Sequence, residues 1–193
     1  MEKKDYAVVA AVCGEGMGQL FMQMGADGIV YWGRKTDKGS LLSSLIHYSE
    51  QRIIFIPCGR ESRLVAERLA ESGAVRLSVI SAESSYQTYA ALQALTQEDA
   101  EGDPIGRAQL AAASVRGCEI SCDEAEAEDM LMDFIRRSAI AGNISAITLL
   151  VGRSVGHDLR VSLTERIGRA YPLIQLSVFL GGQRGSRYCL VIE

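Results

Sequence analysis

The chain is poor in the residues that usually organise chemistry. It has two histidines, three prolines and one tryptophan in 193 residues, so a cluster built on imidazole has almost nothing to draw on. Its five cysteines, Cys13, Cys58, Cys118, Cys122 and Cys189, are odd in number and widely spaced. Cys118 and Cys122 stand four apart, but no second Cys/His pair completes a zinc set, so no metal is expected and the cysteines read as buried thiols. A basic excess is also lacking. The net charge is −4 and the basic residues are scattered, which gives no electrostatic reason to expect nucleic acid. No apolar run approaches the ~20 residues needed to cross a bilayer. The opening Met1-Glu-Lys-Lys-Asp5 turns directly into an apolar strand, without the h-region of a signal peptide, and a cytoplasmic protein is expected. Neither a Gly-x-x-x-x-Gly-Lys-Ser/Thr loop nor an aspartate cluster for magnesium and ATP is present, so the chain is not expected to transfer phosphoryl groups alone. No cofactor is expected.

What is there is an ordinary globular composition, 48% hydrophobic with mixed charge, long enough for one large domain or two small lobes. Apolar, β-branched runs at Tyr6–Cys13, Gly28–Gly33, Arg52–Pro57 and Val75–Ser81 read as parallel strands covered on both faces. Helical spacing fills the gaps at Met17–Met24, Leu41–Ser49, Ser62–Glu71 and Ser85–Thr96. Gly25 and Gly73 stand where helix C-terminal glycines belong. The acidic stretch Gln97–Pro104 marks a boundary. Beyond it come a short helix, a strand near Ser114–Ile120, a helix over Asp123–Ala141 with Ser121 or Asp123 as N-cap, a strand Ala146–Val151, a helix Gly156–Tyr171 and strands Leu173–Leu180 and Tyr188–Ile192. The expected fold is α/β in two lobes: a parallel α/β/α sheet lobe over 1–98 and a smaller two-layer mixed α/β lobe over 99–193.

Candidate sites follow from topology. In an open parallel sheet, ligands bind at the carboxyl ends of the strands. Three loops fall there: Gly14-Glu15-Gly16-Met17, Gly33-Arg34-Lys35-Thr36 and Pro57-Cys58-Gly59-Arg60-Glu61. Arg34, Lys35, Lys38, Arg60 and Arg63 give that edge a positive rim, suited to phosphate or to an acidic partner surface. Gly14-x-Gly16-x-Gly18 is a broken dinucleotide fingerprint: Gln19 stands where the third glycine belongs, and the acidic residue at the end of the second strand is missing. Cys58 sits between a strand and a helix, where a thiol's pKa falls. A nucleophile there also needs a base, and the histidines are His47 and His157 only.

Three segments together resemble one family. Val8–Asp27, around Gly14-Glu-Gly-Met-Gly-Gln-Leu-Phe21, is similar to the opening "VAVxxGEGLxxLFxxLGxD" of the C-terminal region of the fatty acid kinase A subunit, formerly described as dihydroxyacetone-kinase-like. Arg52–Pro57 resembles that family's "xVxVLPNNxN" strand and loop. The end, with Tyr171-Pro172, Gly181-Gly182-Gln183, Tyr188 and Glu193, resembles its closing "YPxxxxxxxxGGQPxYPYxxxxE". The resemblance implies the two-lobed fold of DegV and dihydroxyacetone kinase K proteins. It also implies a non-catalytic docking or regulatory role: binding a DegV-type fatty-acid-binding protein in lipid metabolism, alongside a separate ATP-binding kinase subunit. The interaction surface so implied comprises the three loops and Gly181–Arg184. Two loops depart from the family. Its amide-rich "GGQTMNPST" is Trp32–Ser40 here, basic, with Ser40 as helix cap, and "LPNNKN" is Ile56–Glu61, without asparagine. The alternatives are a small-ligand or phosphate-binding domain and an enzyme with Cys58 as nucleophile.

Overall fold

A computed structural model describes residues 5–33, 35–97, 102–142 and 144–193. Arg34 and residues 98–101 of the acidic stretch lie outside the described residues. The chain forms two compact units, Met1–Cys13 with Gly18–Ser114, and Gly14–Met17 with Val115–Glu193.

The first unit is built on four parallel strands, β1 (Tyr6–Val12), β2 (Gly28–Tyr31), β3 (Arg52–Ile56) and β4 (Leu77–Val79), in the order β2-β1-β3-β4. The unbroken apolar run of β1 has its cause in its central place: every residue from Ala7 to Val12 is buried, as in a parallel strand covered on both faces. Val9 and Ala11 point to a core closed by helices α2 (Lys38–Leu45) and α3 (Arg60–Glu71), through Leu41, Leu45, Ala66 and Leu69. Helices α4 (Ser85–Thr96) and α5 (Pro104–Ser114) pack on each other, and α4 also meets β1 and β3. Helix α1 (Glu15–Gln23) sends Phe21 to Tyr89 of α4, their rings 6.5 Å apart and tilted by 54°. Gly25 and Gly73 end their helices at φ +101° and +66°, the left-handed region that glycine enters without penalty.

The second unit is two-layered. Strands β5 (Arg116–Ile120), β6 (Ala146–Val151), β7 (Gln175–Leu180) and β8 (Tyr188–Ile192) run in the order β5-β8-β6-β7. Strand β8 is antiparallel to both neighbours, and β6 pairs with β7 in parallel through the crossover helix that parallel pairing requires. Helices α6 (Glu124–Ala141) and α7 (His157–Ala170) cover one face, with Leu131, Ile135, Leu163 and Ile167 against Leu149, Val151, Leu190 and Ile192. A parallel sheet followed by a mixed α/β unit is the expected fold class. The segment after β7 is a crossing and not a hairpin, because β6 lies between β7 and β8.

Two local details differ from the sequence expectations, and one expected alternative is decided. Helix α2 is capped by Asp37, not Ser40: the Ser40 N–H donates to Asp37 Oδ1 at 2.9 Å, and Ser40 Oγ accepts from the Asp37 N–H at 2.8 Å. This reciprocal capping box satisfies two donors that a lone serine cap would leave open. Strand β7 starts at Gln175, since the Tyr171-Pro172 turn leaves Leu173 97% exposed. At the start of α6 the N-cap is Asp123, without a side-chain cap bond. Among the described residues, no helix is long and apolar enough to cross a membrane.

Candidate functional site

The two ends of the chain that carry the family resemblance meet inside the second unit. The Met17 N–H donates to Gly181 O at 2.9 Å. A Cβ on Gly14 would collide with the backbone of Gly181, Gly182 and Gln183, and one on Gly16 would collide with the carbonyl of Leu180. Glycine is required at both positions because backbone lies on backbone, closer than any side chain permits. Gly182 lies against the amides of Glu15 and Gly16, and itself takes φ +71°. Gln183, 2% exposed, donates from Nε2 to Leu150 O at 3.0 Å, while its Oε1 is buried with no hydrogen-bond partner. Gly14–Met17 and Gly181–Gln183 are thus one close-packed knot at the carboxyl ends of β6 and β7.

The other two candidate loops belong to the first unit. Both follow parallel strands and leave the same edge of the sheet. The Gly33 N–H donates to Thr36 Oγ1 at 3.0 Å, and the Thr36 N–H to Gly33 O at 2.9 Å. Lys35, Lys38 and Arg60 are exposed and form no ion pair among the described residues. Arg63 is not part of that positive rim. It is held by Glu83 at 2.7 Å and by Glu67 at 3.6 Å, so its charge is compensated within the unit.

The loop after β3 is fastened by two hydroxyls that the sequence reading passed over. Ser62, fully buried, accepts from the N–H groups of Cys58 and Gly59, each at 3.1 Å, and donates to Gly59 O at 2.7 Å. Thr88 of α4 donates to Pro57 O at 2.6 Å. A serine three residues after Gly59 is a local capping signal that was readable. Thr88 gave no signal, since its partner lies far away in sequence. Beneath this loop Cys58 Sγ sits 3.4 Å from Cys13 Sγ. The shared hydrogen bond with Cys13, and then burial, push the Cys58 thiol well above its ordinary range. An activated thiol needs the opposite environment. His157 belongs to the second unit, where its Nδ1 lies 2.8 Å from Arg160 Nη2. His47 lies in the 3-10 turn Ile46–Tyr48, among exposed residues.

The second unit also carries a groove of about 430 Å³, lined by Arg160, Val161, Thr164 and Glu165 of α7 and by Val178 and Leu180 of β7. Val178 and Leu180 share one face of the edge strand by its period of two. The floor is apolar, with Arg160 and Glu165 as the charged groups. Its size falls within the ~300–1,000 Å³ of small-molecule sites. Neither strand pattern nor helix pattern announced this groove, because each half contributes only one or two apolar residues.

No protein-family profile matches the chain, and no curated protein matches it in sequence. Among solved structures it is similar to the one described as "Fatty Acid Binding of a DegV family Protein from Thermus thermophilus", with TM-score 0.60 and 10% identity over 97% of this chain and 98% of that one. The likeness spans both units and shows a DegV-like fold. CetZ from Methanosaeta thermophila strain DSM 6194 aligns at TM-score 0.28 and 11% identity, over 98% of this chain and 61% of that chain.

Proposed function

We propose that this chain is a non-catalytic docking module of a fatty-acid-phosphorylating system, akin to the C-terminal region of the fatty acid kinase A subunit, and that it engages a DegV-type protein carrying the fatty acid. The observation that supports this reading is the glycine knot. The opening Gly-Glu-Gly-Met and the closing Gly-Gly-Gln are the two most distinctive segments of the resemblance, and they form one packed feature. Their co-occurrence then has a physical cause, since each requires the other's lack of side chains. The DegV-like fold over the whole chain is in keeping with it. The contact surface assigned to the partner is the exposed basic edge of the first unit, Lys35, Lys38 and Arg60, which suits an acidic face.

The test is calorimetric titration with a DegV-type fatty-acid-binding protein, loaded and empty. Saturable binding at micromolar affinity or tighter is expected, weakened at least tenfold by Arg60→Glu combined with Lys35→Glu. Heat that is unchanged by the double variant removes this surface from the reading, and no heat with either form removes the reading itself.

A second reading has its own observation: the apolar groove beside Arg160 can take an acyl chain on Val161, Val178 and Leu180, with the guanidinium toward the carboxylate. In that case a fatty acid alone saturates the chain, and Leu180→Asp abolishes the binding.

A further inference from the structure

Strands β1 and β3 are neighbours in the first sheet, in a register that pairs Ala10 with Ile56. Their next residues bring Cys13 and Cys58 to the carboxyl edge together, with the two sulfurs 3.4 Å apart. Strand β2 intervenes in sequence but not in space. We infer that Cys13 and Cys58 are a redox-active dithiol, closing to a disulfide that clips the end of β1 to the loop after β3. Neither the fold nor the proposed docking role assigns these residues such chemistry, and the inference stands apart from that role.

The geometry favours this pair. A disulfide needs its sulfurs at about 2.0 Å, so closure asks for a shift of roughly 1.4 Å between two adjacent chain ends, one of them an exposed residue. The remaining cysteines are less suited. Cys118 is in register with Leu190 and packs on the helix-covered core, which places the neighbouring Cys189 on the opposite face of the sheet. Cys122 points at Met130, 3.4 Å from its sulfur.

The order of events follows from exposure. Cys13 is accessible, whereas Cys58 is 6% exposed and its proton is held. The oxidant is a low-molecular-weight disulfide such as oxidised glutathione. The Cys13 thiol gives up its proton, and its sulfur attacks one sulfur of that disulfide, releasing one glutathione thiolate and forming a mixed disulfide. The Cys58 thiol gives up its proton and attacks the Cys13 sulfur, releasing the second glutathione. Two protein thiols are oxidised and one small disulfide is reduced to two thiols, with both protons passing to the departing thiolates. The Cys58 sulfur also lies 3.9 Å from Ser62 Oγ, so closure bears on the loop that Ser62 and Thr88 fasten.

The test equilibrates the chain in glutathione redox buffers, blocks remaining thiols with N-ethylmaleimide, and reads intact mass and a peptide map. The expected result is three N-ethylmaleimide groups on a chain two hydrogens lighter, with two of the five cysteines protected, and one cross-linked peptide joining Cys13 to Cys58. Cys13→Ser and Cys58→Ser each prevent the bridge, whereas Cys118→Ser leaves it unchanged. Wild-type protein serves as its own control for folding, so a poorly folded Cys58→Ser chain does not decide the matter. Five alkylated thiols under buffers that oxidise a thioredoxin-type dithiol overturn the inference. So does glutathione persisting on Cys13, or a bridge between other cysteines.

Discussion

Replacing Gly16 by alanine adds a single methyl group, and the structure leaves no space for it. The new Cβ would lie inside the van der Waals envelope of Leu180 O, with Gly181 next in line. Both obstacles are backbone, so no rotamer change relieves them. Overpacking a tight site costs about 1–3 kcal/mol. Separating the two segments also strains the bond from Met17 N–H to Gly181 O, worth a further ~0.5–1.5 kcal/mol. The expected loss is therefore about 2–4 kcal/mol. At ~2–4 °C per kcal/mol for a chain of this size, the midpoint falls by roughly 5–15 °C. The assay is thermal and urea unfolding followed by circular dichroism, with Gly168→Ala as the paired control. Gly168 lies in α7 with nothing within 4 Å of its would-be Cβ, so alanine there gains ~0.5–1 kcal/mol from helix propensity. The two substitutions are chemically identical and are predicted to act with opposite sign. Gly16→Ala within 0.5 kcal/mol of the parent would refute the backbone-knot reasoning.

Other outcomes follow from single contacts. Thr88→Val keeps the volume and removes the buried donor to Pro57 O, for an expected cost of ~1–3 kcal/mol and faster amide exchange across 57–61. The hydrogen bonds from Ser40 and the backbone around it hold the Asp37 carboxyl below its ordinary value. A depressed folded value means its contribution is present above the unfolded pKa, near 3.8, and is lost as pH falls through the folded one. Exchange at the start of α2 should thus quicken only on acidification below pH ~4, and Asp37→Asn, which keeps a capping oxygen, should remove that pH dependence. Gln183→Leu deprives Leu150 O of a buried donor and should destabilise the second unit by ~1–3 kcal/mol, read by urea unfolding.

The strands and helices were legible because each covered parallel strand is a continuous apolar run and each helix has its own spacing and end signals. The double-sided burial of β1 is written directly in Ala7–Val12. Caps were less legible. Asp37 and Ser40 are both acceptable N-cap residues, and only the reciprocal geometry decides between them. The site was the hardest part. Gly14–Gly16 reads locally as a turn, and nothing near it announces that its glycines answer to Leu180–Gln183. Nothing local ties Cys13 to Cys58 either, since the adjacency of β1 and β3 is a property of strand order and not of local sequence. Arg63 counted as a free charge until the structure set Glu83 beside it.

The docking role is tested most directly by sedimentation velocity of this chain mixed with a DegV-type protein carrying radiolabelled fatty acid. The account predicts a single faster boundary containing both proteins and the label, which reverts to separate boundaries when Lys35 and Arg60 are replaced by glutamate. Two independent boundaries with the label remaining on the DegV-type protein would contradict it. Transfer of the label to this chain alone would also contradict it, and would point to the groove between α7 and β7 as the acyl site.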